Sequence, residues 1–273
     1  MRSDSVKLFP NALLLAAVLL LHPPAPAQEN SIKLKILSDF QAQNSVYRVE
    51  EARGFGLGSQ MNFPLTQHLD FCLHVNYDYL WLSQNDVLDE WNWDYWEQTY
   101  IDFLPGTEPE IVNQTLRYTS TDSIYSATFE PEQRLKELRL FAGVEYQIPI
   151  TEKLTCYAGL SAGVSLFFRE LHMKEHWIKR FKVDTLSTEK FDYDYQFDLL
   201  HFAPTKKGTI LFGAPSLGVR YFLNETVDMD VSVHSLFYYH ENQIAGIIVS
   251  SGGEEWYPLK SKTQVKIGLT FKY

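Results

Sequence analysis

Apolar residues recur at every second position along most of this chain. In 138–148, Leu138, Leu140, Ala142, Val144, Tyr146 and Ile148 share one face against Arg139, Phe141, Gly143, Glu145 and Gln147. The same holds for Leu154 to Leu166, for Leu69 to Trp81 and for Val227 to Val233. Period-two alternation is the mark of a strand with two unlike faces, and no helix can satisfy it. Together with strands near "SIKLKIL", "RGFGLGSQMNF", "TILFGAPSLGVRYFL" and "TQVKIGLTFKY", these runs give eight strands.

Three segments align without gaps: "GSQMNFPLTQHLDF" (58–71), "GVEYQIPITEKLTC" (143–156) and "GVRYFLNETVDMDV" (218–231). Each reads as strand, tight turn and strand, with Gly first and Thr ninth. The three short connections they define alternate with four long ones, at roughly 41–50, 83–134, 169–208 and 240–260. In an up-and-down antiparallel barrel every long connection then leaves from the same end. Short turns at one end and long loops at the other characterise transmembrane barrels.

The ends and the charge narrow the class. Residues 1–27 read as an export signal: Arg2 and Lys7 precede the apolar run "ALLLAAVLLL", and "APA" offers a cleavage site before Gln28. The remainder, 28–273, is read as a single domain. Its 24 basic and 34 acidic residues, less Arg2, Lys7 and Asp4, leave a formal charge of −11, which argues against a nucleic-acid partner. Cys72 and Cys156 fall on opposite faces and are not expected to bond.

One face of each strand is free of charge, as contact with lipid demands. Tyr77, Tyr79, Trp81, Tyr146, Tyr221, Phe237, Tyr239, Phe271 and Tyr273 lie toward its ends, where aromatic girdles belong. The other face carries Lys33, Lys35, Arg139, Arg220 and Lys266 with Asp70, Asp78, Glu145, Asp228 and Asp230. An eight-stranded barrel is just wide enough for side chains to fill, so these ions are expected to pair and plug it.

On the "PLTQHL" and "PITEKL" turns, the Gly-rich strands and the terminal "TFKY", the chain resembles the small eight-stranded outer-membrane barrels of the OmpA and OmpX type. It resembles more closely the outer-membrane β-barrel domain proteins of Bacteroidota. The resemblance implies the outer membrane as the location, with its lipid and lipopolysaccharide as surroundings. It also implies recognition of Phe271 and Tyr273 by the barrel-assembly machinery. With no peptidoglycan-binding domain after the barrel, a wall-anchoring role is not expected.

Three stretches invite a chemical reading. "DEWNWDYWEQ" (89–98) lies in a loop without Lys or Arg from Ser83 to Leu116. If the strand continued upward as a hairpin, Trp91, Trp93 and Tyr95 would share a face and, with Trp96, could stack on a surface glycan or protein. Otherwise the tryptophans pack as a small core that holds the loop upright. The stretch lacks the spacing of a calcium loop. "HMKEH" (172–176) matches an inverted zinc-peptidase pattern, but on a strand it throws Glu175 away from both histidines. Adjacent His234 and Ser235 point to opposite sides, and His240, Glu241 and Asn242 commit to no nucleophile. Neither a cofactor nor a metal is implied. The reading is a non-enzymatic outer-membrane barrel whose loops bind or shield. A lipid-modifying membrane enzyme and a soluble lipocalin-like barrel are the alternatives.

Overall fold

The computed structural model describes residues 32–46, 48–102, 112, 115–119, 123–182, 191–240 and 256–273. The export signal read at 1–27 lies outside the described residues, as do Glu241 and Asn242. Among these residues ten strands form: β1 (Lys33–Val46), β2 (Glu51–Pro64), β3 (Leu69–Ser83), β4 (Thr115–Thr119), β5 (Ser123–Thr151), β6 (Leu154–Lys182), β7 (Phe191–Phe202), β8 (Lys206–Asn224), β9 (Val227–Tyr239) and β10 (Leu259–Lys272). Eight of them close on themselves, in the order β1-β2-β3-β5-β6-β8-β9-β10, with β10 returning to β1 in antiparallel register (Ile36↔Leu269). β4 and β7 stand outside this ring, paired to the far ends of β5 and β6.

The aligned repeat spans the three tight turns, and its ninth residue has a local task. Thr66 Oγ1 accepts from the amides of His68 (3.3 Å) and Leu69 (3.1 Å), and Thr151 Oγ1 from that of Lys153 (3.2 Å). In the third copy Asn224 Oδ1 takes over, accepting from Thr226 N and Val227 N. Such side-chain bonds let the backbone reverse with its donors satisfied. The leading Gly makes room: over Gly218 lies the Tyr157 ring, only 2.3 Å from where a Cβ would stand.

The faces divide as alternation requires. Val144, Leu160 and Val231 are 40%, 63% and 36% exposed, while Glu145 and Arg139 are 2% and 0% exposed. The barrel is therefore apolar outside and charged inside. A lipocalin-like barrel would have the faces reversed. On β3 the outward apolar residues run from Phe71 to Trp81, a rise of about 25 Å for ten residues at ~3.3 Å each and a tilt of ~40°. Phe55, Tyr79 and Trp81 cluster at its upper limit (Tyr79 to Trp81 4.9 Å), and Phe63 meets Phe71 at the turn end. Above the limit charge begins, with Lys136 bound to Glu170 at 2.7 Å and Arg134 to Glu132 at 2.9 Å.

The long connections differ from expectation, because much of their length is strand. β1 runs to Val46, so the first connection is only 47–50. β5 and β6 are 29 residues each and continue well past the belt. Their upper halves, edged by β4 and β7, make a four-stranded sheet that projects from the long-loop end. Against it pack two short helices, α1 (Val87–Trp91) and α2 (Asp94–Trp96), and a π-helical turn (Glu97–Ile101). Helices this short form because packing holds them, not through propensity.

Candidate functional site

The barrel interior is the most densely ionic part of the molecule. Below the rim residue Arg169, seven carboxylates (Asp39, Asp70, Asp78, Glu137, Glu145, Asp228, Asp230) meet seven bases (Lys33, Lys35, Arg139, Arg220, Lys262, Lys266, Lys272). They sort into layers. At the turn end Lys33 binds Asp70 (3.2 Å) and Lys272 binds Asp228 (2.8 Å). Next, Lys35 lies 3.1 Å from Glu145 and 3.4 Å from Asp230, which Arg220 also approaches at 3.4 Å. Tyr157 donates to Asp230 (2.5 Å), and its ring lies 4.3 Å from Lys35 Nζ. Higher still, Arg139 binds Asp78 through Nη2 (2.6 Å) and Lys262 bridges Asp78 and Glu137, while Asp39 is 3.4 Å from Lys266.

Equal numbers of opposite charges, each carboxylate within 4 Å of a base, satisfy the condition for keeping ions in a low-dielectric interior. Asp39, Glu137, Lys262 and Lys272 belong to this network although the sequence reading omitted them. The first three sit one or two residues beyond the strand limits drawn there, where one more step of alternation finds them; Lys272 lies within the last strand, on the same face as Lys266. Above the ions the inward face turns apolar: Leu80, Leu82, Leu135, Phe167, Phe212, Leu236, Tyr238 and Tyr257 belong to one buried cluster, which Phe141 extends down between the ionic layers.

The acidic aromatic loop also differs from the hairpin expectation. Residues 87–91 and 94–101 are helical, with a break at Asn92 and Trp93, so Trp91, Trp93 and Tyr95 do not line one strand face. Trp91, Trp93 and Trp96 are 1%, 6% and 0% exposed, and Tyr95 alone reaches the surface, at 36%. The three indoles thus serve an internal core with Val87, Leu88, Tyr100, Phe129, Leu171 and Met173, and none offers a face for stacking. Trp96 meets Phe129 edge-on at 4.9 Å, and Trp91 donates to the Pro204 carbonyl (3.2 Å) while facing Trp256 at 5.6 Å. Asn92, in the left-handed region at φ 53°, ends α1 and turns the chain toward α2.

"HMKEH" lies in β6. Its Glu175 is fully buried beneath the loop, accepting from Tyr100 Oη (2.7 Å) and Trp177 Nε1 (2.7 Å), with His201 Nε2 at 3.3 Å. Burial, followed by the bond to Glu175, pushes the Tyr100 phenol far above its usual range. His176 faces the other way and binds Asp198 (2.7 Å). The two histidines and Glu175 are therefore not brought together, and among the described residues no three metal-binding side chains cluster. His234 is buried inside the barrel, Ser235 is on the outer wall 3.4 Å from Thr263, and His240 binds the Leu259 carbonyl. Cys72, buried inside, and Cys156 are both free thiols. Phe271 pairs with Leu34 and Val227 at the turn end, and Tyr273 is 77% exposed beyond it.

No family model matches the chain, and no curated protein matches it in sequence. Among solved structures it is similar to Neisserial surface protein A, with 12% identity and a TM-score of 0.41 over 90% of this chain and 98% of that one. It is also similar to the outer membrane protein OprG from Pseudomonas aeruginosa, with 12% identity and a TM-score of 0.37 over 89% and 96% of the two chains. The N-terminal β-barrel domain of OprF from the same organism matches at 12% identity and a TM-score of 0.31 over 89% and 98%. At these identities the likeness is one of fold alone, and the narrower Bacteroidota resemblance has no matching family model.

Proposed function

We propose that the chain is a non-enzymatic integral outer-membrane protein, closed to solutes by its interior ion pairs, that carries a rigid folded head at the cell surface to bind or shield there. The observation that carries the reading is the division of faces. Eight strands turn an uncharged wall about 25 Å high outward between two aromatic zones, and a balanced set of charges inward. An apolar wall of that size in water would drive aggregation. Phe271 and Tyr273 at the turn end suit recognition by the barrel-assembly machinery, and the head, with its Trp core, presents a fixed surface to a glycan or protein.

The test is fractionation with heat-modifiable migration in detergent gels, together with planar-bilayer conductance. Recovery with the outer membrane, compact migration before heating and no steady conductance support the proposal. A soluble periplasmic product overturns the location, and steady single-channel steps overturn the closed interior.

A further inference from the structure

β1 and β2 pair from Lys33↔Asn62 to Phe40↔Phe55 and no further. Yet β1 stays bonded to β10 as far as Val46, and β2 to β3 as far as Glu51. Above Phe40 and Phe55 the two strands therefore turn edges that are not paired to each other across a slot. The slot opens a cleft of about 500 Å³ lined by Gln41, Gln43, Asn44, Glu50, Glu51 and Arg53. That size is within the range of small-molecule sites.

The lining selects among ligands. Asn44 Nδ2 donates across the slot to the Ala52 carbonyl (2.6 Å), so one short side chain spans it. An inserted strand needs roughly 9.5 Å between its two neighbours, more than such a span leaves, and its side chains would find no apolar pockets. Glu50 and Glu51 outnumber Arg53, which is itself bound to Glu51 (2.6 Å), so the charge disfavours phosphate or sulfate. The Gln41 amide buries both its nitrogen and its oxygen without a hydrogen-bond partner among the described residues, and Asn44 Oδ1 is likewise unpartnered. A donor and an acceptor side by side match a pair of neighbouring hydroxyls, each of which gives and takes. Phe40 and Phe55, about half exposed, border the lower end from the outer wall, with Trp81 6.0 Å from Phe55, whereas Gln41, paired with the buried Gln264, lines the slot from the inner side.

We propose that this slot is a binding site for an uncharged sugar unit. Its source rests on the membrane reading above: the slot begins where the apolar belt ends, at the height of outer-leaflet headgroups, so the sugar belongs either to a glycolipid or to a free glycan chain.

The experiment uses the full chain in dodecylphosphocholine micelles, with folding checked by heat-modifiable migration. Saturation-transfer NMR is recorded with maltotriose, cellotriose and triacetylchitotriose, and in a second arm with diglucosyl diacylglycerol. Signal from a free trisaccharide assigns a glycan chain, and signal from the glycolipid alone assigns a headgroup. Either result supports the site, provided it falls at least tenfold in Gln41→Leu and in Asn44→Leu but not in Gln98→Leu, a control on the head. Silence in both arms from folded protein, binding unchanged in the slot variants, or displacement by a sulfated trisaccharide or a blocked tetrapeptide overturns it. Because the chain is in micelles, this result stands or falls separately from its cellular location.

Discussion

Replacing Arg139 by Met tests whether the interior ions hold the barrel together. Arg139 is wholly buried, and its Nη2 donates to both carboxylate oxygens of Asp78 at 2.8 and 2.6 Å. It also lies 3.5 Å from Asp39 and 3.9 Å from Glu137. Methionine of similar length leaves three carboxylates with only Lys262 and Lys266 to balance them. Removing one partner of a buried pair costs about 3–5 kcal/mol. Lys262 and Gln264 still hold Asp78, which places Arg139→Met near the lower end, about 3 kcal/mol or more than a hundredfold in the folding equilibrium. Adding Asp78→Leu removes the stranded charge and should restore at least half of the loss, a coupling that a double-mutant cycle measures. Urea unfolding in lipid vesicles, followed by tryptophan fluorescence, provides the readout. A loss below about 1 kcal/mol, in the range of exposed pairs, would mean that water screens these ions, and the closed interior would fall with it.

The outer wall and the head make separate demands. Leu160→Arg, at a 63% exposed position on the wall, should destabilise the barrel by about 2–4 kcal/mol in vesicles, whereas Leu160→Ala should change far less. Equal effects would show that no lipid touches it. Trp96→Ala, by opening a cavity in the head core, should cost the head about 3–5 kcal/mol and expose 83–102 to protease while heat-modifiable migration persists. Loss of barrel migration would show that head and barrel fold as one. Tyr100, neutral and buried against Glu175, has its folded value raised above the unfolded one, so its contribution is complete below about pH 10 and is lost as the pH rises past that point. Protease resistance of the head should therefore fall in alkali, and Tyr100→Phe should blunt the fall; an identical profile in the variant would exclude Tyr100 as the cause.

Closure and the number of barrel strands were legible because alternation is a constraint each residue states for itself, whereas β4 and β7 fell within stretches read as loops. Val144 and Glu145 are neighbours, and nothing but a two-faced strand sends one outward and the other in. The turn repeat was legible for the same local reason, since Thr66 and Thr151 bond to amides two or three residues ahead. What alternation could not locate was the strand ends. Asp39, Glu137 and Lys262 were missed where the pattern blurs into polar residues, the inward Leu80 and Leu82 where both faces are apolar, as in "YDYLWLS", and Lys272 at the last inward step before the end of its strand. The head was less legible still. Its helices are fixed by contacts between residues far apart in sequence, such as Trp91 with Pro204 and Tyr100 with Glu175, and no local period announces a contact of that kind.

The junction between barrel and head explains why a chain would keep so much apolar surface inside a wall that is already apolar outside. Arg169, at the rim, donates to Gln133, to Gln84 and to the Trp256 carbonyl, and its guanidinium lies 5.3 Å from the Trp91 ring. Lys206 lies 4.1 Å from the Trp256 ring. Trp256 packs against both the barrel cluster below and the head cluster above. Two apolar cores thus meet at a seam of cations and indoles, a pairing worth more in a desolvated setting than in water. A head that merely sat on an ionic plug would have only hydrated charges beneath it. With an apolar layer between, β5 and β6 stay paired to each other from barrel to head, while on their outer edges β4 takes over from β3 and β7 from β8.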